Sequence, residues 1–88
     1  MSKQDTLLEF PCDFPIKAMG LADDRFEALV VSLVRKHAPD LGEGAVRSVD
    51  SKGGKYLSVT VTVRATSREQ LDNIYRELTA CEQVLMAL

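Results

Sequence analysis

Tryptophan is absent from this chain, histidine occurs once, at His37, and cysteine twice, at Cys12 and Cys81. The two thiols make no CxxC pair and His37 is near neither, so the ligand spacing of a zinc site is missing and no metal is expected. The count alone leaves a disulfide open, but two reduced thiols of a cytoplasmic protein are the simpler reading. Long apolar runs are also missing. The N-terminus, MSKQDTLLEF, has no stretch of signal-peptide length, and nothing approaches the ~20 apolar residues that span a bilayer. A cytoplasmic address without a membrane partner is therefore expected. Neither sign of charge dominates: 11 basic against 13 acidic residues leave a formal charge of −2. A phosphate backbone is recruited by a clustered excess of lysine and arginine, so this balance argues against nucleic acid as a partner.

What is present is a strong pattern. In Tyr56–Ala65, YLSVTVTVRA, Leu57, Val59, Val61 and Val63 alternate with Ser58, Thr60, Thr62 and Arg64. A period of two marks a strand with one buried and one polar face, and Val and Thr suit a pleated, half-buried surface. With 88 residues the chain has room for one domain. We assign residues 1–13 to an N-terminal arm and residues 14–88 to that domain.

Around the strong strand the remaining elements fall into order. Phe14, Ile16 and Ala18 alternate with Pro15, Lys17 and Met19 in a first strand that ends at Gly20. Asp23 and Asp24 open a helix, with Asp24 and Glu27 at capping-box spacing. Phe26, Leu29, Val30, Leu33, Val34 and His37 form its apolar face, and Pro39 stops it. APDLGEGA reads as a loop. A weaker strand over 45–51 and the turn SKGGK lead into the strong strand, with Gly53-Gly54 supplying the positive φ a tight hairpin needs. The hairpin register is open: an even turn sets Val46 opposite Val61, an odd one Val49 opposite Val59. Thr66 and Glu69 have capping-box spacing for a second helix with Leu71, Ile74, Tyr75 and Leu78 inside. QVLMAL, residues 83–88, closes as a strand.

The order β-α-β-β-α-β with right-handed crossovers predicts a ferredoxin-like α+β sandwich. Its antiparallel sheet runs 4-1-3-2, with two helices on one face. The expected core is Phe14, Ile16, Phe26, Leu29, Val30, Leu33, Val34, Leu57, Val59, Val61, Val63, Leu71, Ile74, Leu78, Val84 and Met86.

A fold of this kind hosts many functions, so sites must decide. The connection MGLADD lacks the arginine of an acylphosphatase phosphate cradle and the MxCxxC of a metal chaperone. RNA-recognition domains stack bases on aromatics of the open face, where this chain has Lys17, Ser58, Thr60 and Thr62, with Tyr56 at the margin. An RNA-binding module is thus a remote alternative. No nucleophile–base pair is visible, so no catalytic residue, cofactor or enzymatic activity is expected; His37 reads as a helix-end residue that suits the dipole. Lys52 and Lys55 flank the Gly-Gly turn and are weak candidates for an anion, against the plainer reading of solvated lysines. Gly20, without a Cβ, either lets a ligand or partner approach or simply makes a turn. The last strand is apolar on both sides. If Val84, Met86 and Leu88 face the helices, then Leu85 and Ala87 reach the open face beside Met19. Met19, Leu85 and Ala87 are therefore the candidate interface, for a homodimer or another protein partner.

The segments LLEFPCDFPIKAMG, KHAPD, SKGGKYLSVTVTVRA, REQLDNIYRELTA and VLMAL together resemble the YbeD-like family of small bacterial proteins, from Leu7 to Leu88. The resemblance implies a fold akin to ACT regulatory domains, which bind amino acids or similar small molecules at subunit interfaces. It places a candidate ligand position at Met19, Gly20 and Leu21, with the start of the first helix. Two functional expectations result: a non-catalytic regulatory or adaptor domain working through its open sheet face and last strand, or an ACT-like sensor of a small-molecule effector such as an amino acid or organic acid.

Overall fold

The strand Tyr56–Ala65 becomes β3, the centre of the molecule. The computed structural model describes residues 8–88; residues 1–7 of the expected arm lie outside them. β1 (Cys12–Leu21) pairs antiparallel with β3 along its whole length, from Cys12 opposite Ala65 to Leu21 opposite Tyr56. The expected start at Phe14 is too late, because Cys12 and Asp13 already belong to the ladder. β2 (Val46–Asp50) covers the other side of β3, and β4 (Met86–Ala87) the other side of β1. The sheet order β2-β3-β1-β4 is the expected 4-1-3-2. Val46 lies opposite Val61, which selects the even-turn register. Gly53 and Gly54 take φ of 91° and 71° in the turn. Tyr56 and Ser51 close that hairpin twice, through Ser51 N–H to the Tyr56 carbonyl and Tyr56 N–H to Ser51 Oγ.

Two helices cover one face: α1 (Phe26–Arg35) and α2 (Arg68–Ala80). α1 is shorter than the spacing predicts, and the Asp24–Glu27 capping box does not form. Arg25 is the N-cap without a side-chain bond; Asp23 instead accepts the Arg25 N–H at 2.8 Å and the Phe26 N–H at its carbonyl. Glu27 turns to Ser48 of β2, accepting its hydroxyl proton. At the C-terminal end the N–H groups of His37 and Ala38 both reach the Val34 carbonyl, which tucks Ala38 into the core. α2 is capped one residue later than expected. Ser67 Oγ accepts the Gln70 N–H at 3.0 Å, and Gln70 Oε1 takes the Thr66 N–H at 2.7 Å in return. Ser67 has the extended backbone of a cap, and a Gln at the third helical position is as good a reciprocal partner as Glu.

Between helices and sheet sit Ile16, Ala18, Phe26, Val30, Val34, Val59, Val61, Val63, Ala65, Leu71, Ile74 and Leu78, all at 3% exposure or less. Phe14, Leu33, Leu57 and Val84 pack half-buried against them. Met86 is a correction, since it is 50% exposed rather than internal. It pairs with Met19, while Ala87 pairs with Ala18, whose side is the helix-covered one. The parity of the last strand is thus opposite to expectation. A strand apolar on both sides carries no inward signal of its own, and its facing is imposed by the ladder to β1.

Candidate functional site

The strand ladders define what lies on the uncovered side of the sheet. Side chains of directly paired residues share a face, so the registers arrange this surface in rows. One row runs Lys17–Thr60–Arg47, because Thr60 is the partner of both cations. The next runs Met86–Met19–Ser58–Val49. Leu88 extends the first row beside Lys17, where the two residues exchange backbone hydrogen bonds of 3.0 and 2.8 Å. Lys17, Met19, Arg47, Val49, Tyr56, Ser58 and Thr60 line a shallow concavity of about 400 Å³, together with Asp50 and Ser51 at the end of β2. No carboxylate among the described residues pairs with Lys17 or Arg47, whereas Arg64, farther along β3, reaches Asp13 at 3.4 Å.

A second hollow of about 560 Å³ opens at the end of the sheet where α1 begins. Leu21, Phe26, Leu29 and Leu85 give it an apolar wall, and Asp23, Arg25, Glu82 and Gln83 its rim. Asp23 and Arg25 are joined by an exposed ion pair of 3.6 Å.

The residues singled out in the sequence are scattered over these features. Met19 is half-buried in the open face, and Leu21 is 55% exposed at the end hollow. Gly20 between them is buried on the helix side. A Cβ there would come within 2.5 Å of the Phe26 ring and against the Gln83 carbonyl. The close approach read from this glycine is real, but the chain itself fills it, so Gly20 offers no room to a ligand. Leu85 and Ala87 do not join Met19 on the open face. Ala87 lies on the core side, and Leu85 walls the end hollow. Lys52 and Lys55 are exposed, and the Lys55 ammonium stands 5.6 Å over the Tyr56 ring, a cation–π contact.

Two groupings were not visible in the sequence. Arg47 joins Lys17 only through the even-turn register, which was open. His37 Nε2 lies 3.3 Å from Glu77 Oε2, and Lys36 Nζ is 3.8 Å from Oε1 of the same carboxylate. Gln70 Nε2 donates to the His37 carbonyl at 2.7 Å. These contacts tie the end of α1 to α2 across 33 and 40 residues of chain, a distance at which spacing carries no signal. Asn73, Arg76 and Ala80 complete the hollow around His37, and none of them is a nucleophile. Burial raises the Tyr75 phenol above its ordinary value. Cys12 and Cys81 are both free and half-buried. No helix among the described residues is long and apolar enough to cross a membrane.

Fold and surface together define a small open-faced α+β sandwich with a mixed cationic and apolar sheet surface. A family described as a protein of unknown function, DUF493, matches residues 5–88, and the chain belongs to that family. It is 51% identical over 84 residues to a UPF0250 protein of Janthinobacterium sp. (strain Marseille), covering 96% of this chain and 92% of the relative. A UPF0250 protein of Chromobacterium violaceum is 50% identical over 86 residues, covering 98% and 97%. Among solved structures, the solution structure of HP0495 from H. pylori superposes with a TM-score of 0.70 at 14% identity. It covers 92% of this chain and 85% of that one, and shows that the fold is shared.

Proposed function

We propose that this protein is a non-catalytic binding module of the bacterial cytoplasm, a regulatory or adaptor domain that holds a protein partner on its open sheet face and along β4. The observation that carries this reading is the row Met86–Met19–Ser58–Val49. Of the large apolar residues left exposed, Val49 at 56% and Met86 at 50% lie in this row, with Leu88 at 65% beside it. Single exposed apolar residues need no explanation, but a connected set on an uncovered face marks an interaction surface. Methionine suits such a surface, since its flexible thioether adapts to a partner's shape. β4 adds an edge, short and so guarded against indiscriminate pairing.

The test contrasts two exposed apolar residues a single position apart. Met86→Glu should abolish partner contacts measured by in-cell cross-linking and sedimentation of the complex, while Leu85→Glu, in the end hollow, should preserve them. Identical profiles for wild type and Met86→Glu would remove the reading.

The end hollow favours a second reading, a small-molecule sensor whose effector sits against Leu21, Phe26, Leu29 and Leu85. The ACT-like candidate position at Met19, Gly20 and Leu21 contributes only Leu21 to it. Thermal-shift screening against amino acids and organic acids tests this, because a ligand at 100 times its Kd stabilises by about 2.7 kcal/mol. A flat screen would exclude it.

A further inference from the structure

We infer that the partner of the open face is an acidic polypeptide segment in which carboxylates and apolar side chains lie close together. The inference rests on the contact surface proposed above and specifies its chemistry. Lys17 and Arg47 stand on either side of Thr60 with no carboxylate partner among the described residues, and Ser58, Thr60 and Ser51 add hydroxyls along the same concavity. Adjacent strands are ~4.8 Å apart, so the two cations are separated by ~9.6 Å of sheet. A carboxylate above Thr60 is flanked by both. One row away, Met86, Met19 and Val49 call for apolar side chains on the same segment. Charge over the described residues is divided accordingly. The sheet strands and hairpin carry Lys17, Arg47, Lys52, Lys55 and Arg64 against Asp13 and Asp50. The helical layer and its flanks carry Asp23, Asp24, Glu27, Asp40, Glu69, Asp72, Glu77 and Glu82 against Arg25, Arg35, Lys36, Arg68 and Arg76, an acidic excess.

This pattern disfavours the competing occupants. A second copy stacked face to face would set Lys17 and Arg47 against their own like charges, at a cost rather than a gain. RNA needs exposed aromatic faces on which bases stack, and the one aromatic here, Tyr56, already has the Lys55 ammonium over its ring. The acidic helical layer would also repel a long polyanion.

The experiment selects twelve-residue peptides from a random displayed library on the full chain. It then measures one synthesised winner by fluorescence anisotropy at two salt concentrations, with a twelve-residue oligouridylate and inorganic phosphate as parallel probes. The expected winners are net negative with interspersed apolar residues. Their binding falls about tenfold in Lys17→Glu/Arg47→Glu, persists in Lys17→Arg/Arg47→Lys, and weakens with salt. Neutral or basic winners, no winners, acidic winners indifferent to the charge reversal, or tighter binding of oligouridylate or phosphate would each overturn the inference. Met19→Glu separates the two levels of the argument. Winners of the wrong charge that Met19→Glu still abolishes leave the contact surface standing and remove only its acidic partner. Winners untouched by Met19→Glu remove both. Thermal melts of the variants show that each remains folded.

Discussion

The two faces of the sheet are built from the same strands, yet they obey different constraints. On the covered face of β3, Val59, Val61, Val63 and Ala65 are completely buried, and Ile16 and Ala18 of β1 are at 1% and 0%. Alternate residues of those strands, Lys17, Thr60, Thr62 and Arg64, reach solvent on the other side. Packing density fixes the first set, because an interior as dense as a crystal tolerates neither a missing nor an added methyl group. The second set is freed from packing and can be given over to charge and contact. Residues one position apart thus belong to different problems, one of stability and one of recognition.

That contrast breaks most visibly at the centre of the covered side. Ile74→Ala removes a fully buried side chain of α2 above the sheet and should cost about 2–5 kcal/mol, read from the denaturant midpoint. Thr60→Val, on the open face of the same sheet, should stay within about 0.5 kcal/mol. A comparable loss for both would show that the open face is not free of packing constraints. Gly20→Ala comes next. Its φ is ordinary, so alanine is not strained by backbone conformation, but the new methyl meets the Phe26 ring and the Gln83 carbonyl. The ring can yield and the backbone cannot. Overpacking here should cost about 1–3 kcal/mol, more than the fraction recovered from a stiffer unfolded chain. A stabilised Gly20→Ala protein would mean that the turn into β4 gives way easily.

How far the sequence discloses this architecture depends on whether a residue's neighbours speak for it. β3 was legible because its alternation is strict. The strand order followed, since chirality and the short Gly53-Gly54 turn leave few topologies open. β4 was legible as a strand and illegible in facing: Leu85, Met86, Ala87 and Leu88 look alike to an alternation test, and only the ladder to Ala18 and Met19 assigns them. The expectation that Leu85 and Ala87 reach the open face fails on that parity. Met19, on the unambiguous β1, was placed on the open face correctly. Lys17 and Arg47 could be assigned to strands but not to one row, because their meeting depends on a register shared through Thr60.

The helix starts carry the same lesson at about 1 kcal/mol. Ser67→Ala should lose about that much, since it removes an acceptor for the Gln70 N–H, whereas Asp24→Ala should lose almost nothing because no cap bond involves it. The spacing rule treats Thr66 and Asp24 as equivalent cap candidates. Chemical denaturation of the two alanine variants discriminates the observed bonds from that rule, and a loss at Asp24→Ala as large as that at Ser67→Ala would restore the capping box of α1.

The smallest effect belongs to Tyr75, half-buried on α2 against the core. Burial disfavours its phenolate, so its ionisation lies above the ordinary value of 10.0 in the folded chain. The sign follows from proton counting: above pH ~10 the unfolded chain releases this proton first, the folded chain holds it longer, and stability falls as pH rises. Below that pH both states keep the proton and the contribution is constant. Tyr75 remains partly open to water, so the loss should be small and confined to the window between the two ionisations. Tyr75→Phe should lie parallel to wild type at neutral pH and lose less stability above pH ~10. The difference between the two proteins at each pH cancels every other group that titrates there. Parallel curves throughout the alkaline range would place the Tyr75 hydroxyl in water, and the helical layer would then be looser at this point than the buried stripe beside it.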